Sequence, residues 1–186
     1  MSMRNDGARF GIVAQLFHWS MAILLIGMLG LGVYMHELPI GEAKFALYDL
    51  HKSTGLLVLA LALLRIGWRM ADPPPPALPS MPPEQAKLLK ATHWALYGLM
   101  LALPATGWLM ASASGAPVDL YGSGIVAPSP IGKSDDALIA FRILHDMIGK
   151  LTMALIVVHV GMTLKHHFRD RDATLLRMLP GGRRAR

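Results

Sequence analysis

The chain has 186 residues, 53% of them hydrophobic and 16% charged, no cysteine and a formal net charge of +6, and its mean hydropathy is +0.42. This is too apolar for an ordinary soluble domain of that length, and the lack of cysteine excludes disulfides, iron–sulfur clusters and thioether-linked haem. The basic pI near 9.9 follows the membrane topology described next, so nucleic-acid binding is a poor reading of it.

Four apolar stretches with few internal charges, at about 16–35, 51–70, 92–112 and 141–164, are each long enough to cross a hydrocarbon core of about 30 Å. The reading is all-α: one integral membrane four-helix bundle spanning residues 1–186. The first stretch follows Arg4 and Arg9 but is long for a signal-peptide core and has no small-x-small cleavage site after Val33, so it is read as a retained helix. With four crossings both termini share a side. That side carries Arg4, Arg9, Arg65, Arg69, Lys87, Lys90, Lys165, Arg169, Arg171, Arg177, Arg183, Arg184 and Arg186, and the other only Lys44, Lys52, Lys133, Arg142 and Lys150. The positive-inside rule then makes both termini cytoplasmic in a multi-pass membrane protein.

The proline-rich loop 72–83 reads as a stiff cytoplasmic spacer between helices 2 and 3. The Gly-, Pro- and Ser-rich stretch from Ser112 to Ala140 is expected to cap the periplasmic face. Pro104 should kink helix 3 and free a carbonyl. Glycines at 27, 30, 32, 55, 107, 149 and 161 suit close helix approach and equally suit a flat macrocycle.

The eight histidines sort by depth. His145 and His159 lie in one helix, fourteen residues apart, which returns them to within about 40° of the same face with roughly 21 Å between them along the axis. His18 opens helix 1 on the cytoplasmic side, His51 opens helix 2 on the periplasmic side, and His93 opens helix 3 on the cytoplasmic side. Two same-depth pairs result, His51 with His145 and His18 with His159. A lone histidine at a helix end is usually interfacial, and Trp19 and Trp94 follow His18 and His93. Four that pair by depth across three helices point to function, because titratable rings are costly in lipid. Bis-imidazole ligation of two non-covalent haem b groups accounts for them, and with no open coordination position it suits electron transfer.

His93 competes with His18 for the inner haem. His166, seven residues beyond His159, should reach the cytoplasmic interface, where it and His93 would flank the haem edge and deliver protons to a quinone. His36 and His167 read as surface residues and the methionines as packing. A helical channel or structural protein with a metal-binding polar cavity is the reading from a different class.

The chain resembles the bacterial cytochrome b561 family of di-haem membrane proteins over nearly its whole length. The resemblance is carried by His18-Trp19, His51-Lys52-Ser53-Thr54-Gly55, Arg65 with Arg69, His93-Trp94-Ala95-Leu96-Tyr97, Leu103-Pro104-Ala105-Thr106-Gly107, the His145–His159 spacing, His166-His167-Phe168 and Leu175-Leu176-Arg177-Met178-Leu179-Pro180. It implies that His18 and His159 hold the cytoplasmic-side haem, that His51 and His145 hold the periplasmic-side haem, and that His93 and His166 lie at the quinone. It also implies superoxide oxidation with ubiquinone as electron acceptor, or, as the alternative, a haem-b subunit relaying between the quinone pool and a periplasmic redox protein. Steering of an anionic substrate would require Lys44, Lys52, Lys133, Arg142 or Lys150 to cluster over the outer haem, against seven acidic residues on that side.

Overall fold

The computed structural model describes residues 2–181; Arg183, Arg184 and Arg186 of the charge count lie outside the described residues. Four helices dominate: α1 (Ile12–Glu37), α2 (Glu42–Ala71), α3 (Pro83–Ser114) and α4 (Asp135–Lys165), the last running on into a wider π-type turn, His166–Asp170. Among the described residues there is no strand, only one isolated bridge, Asp119 to Val126.

All four are long and apolar enough to span a membrane. At 26, 30, 32 and 31 residues they would measure about 39 to 48 Å, longer than the hydrocarbon core. The excess lies outside the apolar runs and is largely amphipathic or polar. Consequently His51 and His93 do not open their helices: nine residues from Glu42 precede His51, and ten from Pro83 precede His93. Local chemistry sets these ends. Pro83 stands in the first turn of α3, where its missing N–H costs nothing. Gly115 ends α3 with a left-handed φ of 74°. Ser134 caps α4 by accepting from the Ala137 amide at 3.3 Å, and Asp135 and Asp136 stand in its first turn.

Packing is uneven. Extended close approach occurs between α1 and α2, α2 and α3, and α3 and α4; α4 lies against α3 and stands off from α1 and α2. The tight core lies in the α1–α2–α3 half, where Met21, Val58, Ala62, Tyr97 and Met100 are buried. Ile23, Leu63 and Val157 are exposed, as residues that face lipid acyl chains would be.

The two ends of the bundle differ. At one, the N-terminal segment, the proline-rich linker and the C-terminal segment interlock. Asn5 donates to the carbonyls of Asp72 and Pro73 at 2.9 and 3.0 Å, Arg177 Nε to the Ala8 carbonyl at 2.7 Å, and Trp19 Nε1 to the Met178 carbonyl at 2.9 Å. At the other end, the segment between α3 and α4 folds back as a cap. The Ser53 hydroxyl donates to the Asp119 carbonyl and accepts from the Tyr121 amide, both at 3.1 Å, while Trp108 Nε1 donates to the Pro128 carbonyl at 2.8 Å.

Candidate functional site

Both expected histidine pairs meet inside the bundle. The rings of His51 (α2) and His145 (α4) have centroids 6.3 Å apart, and those of His18 (α1) and His159 (α4) 6.2 Å apart. Two imidazoles bound through nitrogen to one metal at about 2 Å hold their centroids roughly 6 Å apart, so both pairs match bis-imidazole ligation. The pairs join α4 to the helices it otherwise avoids.

The cap-side pair is the better prepared. His145 Nδ1 donates to the Leu103 carbonyl at 3.0 Å and lies 3.3 Å from the Thr106 hydroxyl. That bond puts the ring proton on Nδ1 and leaves Nε2 as a metal donor. Leu103 and Thr106 bracket Pro104, so the stretch of α3 around this proline supplies the groups that orient the ring. Gly107 faces the same ring: a Cβ there would lie 3.0 Å from its Cε1. A Cβ on Gly32 would meet His51 Cε1 at 3.6 Å. By contrast, Gly27, Gly30 and Gly161 face open space. The His51 Nδ1 is buried without a hydrogen-bond partner.

At the terminal end three imidazoles gather. His93 has its centroid 5.4 Å from that of His159, closer than the His18 ring, and its Nδ1 donates to the Leu89 carbonyl at 2.7 Å. His18 Nδ1 lies 3.2 Å from an Arg65 nitrogen. A guanidinium only donates, so here His18 Nδ1 accepts and its proton sits on Nε2. The His18–His159 spacing fits a shared metal better than the shorter His93–His159 spacing does. His18, His93, Arg65, Trp68, Arg69 and Tyr97 line one shallow cleft.

His166 departs from the expectation of an interfacial residue. It is buried, with Nδ1 2.7 Å from Asp172 and 3.2 Å from Asp170. The π-type turn folds the chain back so that these carboxylates cover the ring. Burial pushes the Asp172 carboxyl up, but hydrogen bonds from Thr174 and His166 outweigh it and hold it below its ordinary value of 3.8. As expected, His36 is exposed, and His167 is half-buried against Phe168.

Three of the five bases on the cap side are engaged within the chain. Lys44 donates to the carbonyls of His36 and Leu38, Lys52 pairs with Asp49 at 2.6 Å, and Lys150 with Asp146 at 2.8 Å. The Lys133 side chain lies against Gly115.

Four membrane-length helices with imidazoles facing in pairs across the interior define a class, that of helical membrane proteins built around a ligand-bridged core. The family model for prokaryotic cytochrome b561 matches residues 9–181, and the chain belongs to that family. It is 36% identical over 180 residues to cytochrome b561 homolog 2 of Escherichia coli K12, covering 96% of this chain and 95% of that protein. It is 29% identical over 131 residues to the probable superoxide oxidase CybB of Yersinia pestis, covering 70% and 73%, and 29% identical over 144 residues to cytochrome b561 homolog 1 of E. coli K12, covering 76% and 80%. Membership makes the chain a multi-pass membrane protein of a haem-b electron-transfer family.

Proposed function

We propose that this chain is a di-haem b oxidoreductase of the bacterial inner membrane that oxidises superoxide at the periplasmic face and reduces ubiquinone toward the cytoplasmic face. Two superoxide anions give up one electron each and leave as dioxygen; one ubiquinone takes two electrons and two protons and leaves as ubiquinol. The observation that carries the reading is the equal spacing of the two histidine pairs, 6.3 and 6.2 Å, set at depths about 21 Å apart by the fourteen residues of α4 between His145 and His159. The Yersinia pestis relative's name, probable superoxide oxidase, supports the choice of donor.

Haem b held by two imidazoles supplies one-electron chemistry with no open coordination position. His51 and His145 hold one iron on the cap side, and His18 and His159 the other on the terminal side. The Leu103 carbonyl keeps His145 in the ligating tautomer. His93 and His166 serve the quinone side: His93 has its Nδ1 engaged by the Leu89 carbonyl, which leaves Nε2 for a quinone oxygen, and His166 on Asp172 can hold and release a proton. The positive-inside count supports a cytoplasmic position for the terminal end.

The pairing of Lys44, Lys52 and Lys150 within the chain favours a second reading, because it engages three of the five bases that could steer a small anion. In that reading the chain relays electrons between the quinone pool and a periplasmic redox protein. Purified protein mixed with a superoxide source and a soluble ubiquinone separates the two. Fast haem reduction followed by quinol formation, with no other protein present, is expected. Inertness toward superoxide while quinol still reduces the haem would overturn the oxidase in favour of the relay.

A further inference from the structure

Two arginines in α2 lack the anion that a guanidinium in a membrane span calls for. Arg65 and Arg69 are one turn apart on the same helix face, and both are half-buried. Among the described residues neither has a carboxylate within ion-pair distance. Arg65 reaches His18 Nδ1 at 3.2 Å and Met100 Sδ at 3.9 Å, and it engages the Tyr97 side chain through a hydrogen bond and its ring, whose centroid lies 5.2 Å away. Arg69 lies 5.4 Å from the ring of Trp94 and 5.0 Å from that of Tyr97. These are weak acceptors for two five-donor cations, in a setting where an uncompensated charge is costly. Between them in sequence, Trp68 Nε1 is buried with no acceptor. All three residues line the cleft that also holds His18 and His93. Asp72 lines it too, but its carboxylate accepts from the Asn5 amide at 2.9 Å.

The register along α2 says what this donor set faces. Arg65 is fourteen residues beyond His51, the same interval that separates His145 from His159 on α4. The two helices therefore run in parallel logic: α4 presents an imidazole to each layer, while α2 presents an imidazole to one layer and a guanidinium to the other.

We propose that Arg65 and Arg69, with Trp68 Nε1, bind the two carboxylate side chains of the haem held between His18 and His159, and so fix its setting and raise its midpoint potential. The inference rests on the di-haem reading above. It also resolves the His18 tautomer: a guanidinium drawn to a carboxylate leaves His18 Nδ1, the ring proton moves there, and Nε2 becomes free to ligate. Positive charge beside the iron favours the ferrous state, and removing it leaves an unpaired anion that favours the ferric state.

The test uses holoprotein in nanodiscs, with Arg65→Gln, Arg69→Gln and Arg65→Lys variants. Redox titration should show one haem shifted to lower potential in both Gln variants and the other unchanged, the unshifted haem serving as the folding control. That same haem should pass to excess apomyoglobin about tenfold or more faster, as expected when charge-assisted hydrogen bonds are lost. Arg65→Lys should keep more of the potential than of the retention, since it keeps the charge and loses the planar fork. Unchanged potentials and transfer rates in both Gln variants, with two haems per chain, would overturn the inference and leave the di-haem reading intact. Effects that appear only in nanodiscs with anionic lipid would overturn it by identifying a lipid phosphate as the partner. Fewer than two haems per wild-type chain would overturn the di-haem reading itself and this inference with it.

Discussion

Adding a single methyl group at Gly107 separates cofactor binding from fold stability. The new Cβ would stand 3.0 Å from His145 Cε1, 3.3 Å from Nδ1 and 3.8 Å from Nε2, where ordinary carbon contacts lie at about 3.5–4.0 Å. The ring must then retreat from α3 by roughly half an ångström. The carbonyl that orients it, Leu103, is on the same helix at 3.0 Å, so the retreat stretches that bond to the limit of hydrogen-bonding distance and forfeits about 1 kcal/mol. Gly107→Ala should therefore weaken cap-side haem binding about tenfold or more, which corresponds to roughly 1.4 kcal/mol. The helix itself gains about 0.5–1 kcal/mol from replacing a glycine, which roughly offsets the lost His145 bond, so the haem-stripped fold should change little in stability. Pyridine haemochrome analysis per chain, with low-temperature reduced-minus-oxidised spectra, reads the first effect, and thermal unfolding of the haem-stripped protein reads the second. Gly32→Ala is the control, since its Cβ would meet His51 at an ordinary 3.6 Å. Full haem content in Gly107→Ala with an unchanged spectrum would refute the assignment of His145 as a ligand held by α3.

Further expectations follow from the same geometry. His51→Ala or His145→Ala should each remove mainly the cap-side haem, and His18→Ala or His159→Ala mainly the other; haem loss in His93→Ala equal to that in His18→Ala would reverse the inner pairing. Gly11→Ala should destabilise the terminal end by about 1–3 kcal/mol, because its Cβ would collide with the backbone of Met3 and Arg4; faster cleavage of the N-terminal segment in limited proteolysis checks this. The hydrogen-bonded Asp172 carboxyl lies below its ordinary value of 3.8, so its contribution should be complete above that value and disappear as pH falls through the lowered one. Hydrogen exchange of the segment after Asp170 should report that acid release, and Asp172→Asn should abolish the pH dependence.

The membrane helices and the layering of histidines were legible because both are local: apolar runs give the spans, and the 3.6-residue period gives the faces. Helix ends were less so. The turns from Glu42 to Leu50 and from Pro83 to Thr92 are amphipathic or polar, and a criterion that looks for lipid-facing residues passes over helix that extends into the aqueous layer. The burial of His166 depends on a chain reversal that places Asp170 and Asp172 over it, and nothing in the apolar pattern announces that turn. The pairing of Lys52 with Asp49 and of Lys150 with Asp146 was readable from i,i+3 and i,i+4 spacing. Lys44 was not, since its partners are carbonyls at the end of the preceding helix. Pro104 was noted as a disturbance of α3; its flanking Leu103, Thr106 and Gly107 proved to be the seat of His145.

The separation of α4 from α1 and α2 bears on how the two histidine layers are tied together. With α3 as the spine, the bundle is a book whose last leaf carries one imidazole for every pair. Any shift of that leaf moves His145 and His159 together, so the geometry of both layers depends on the stiffness of a single helix.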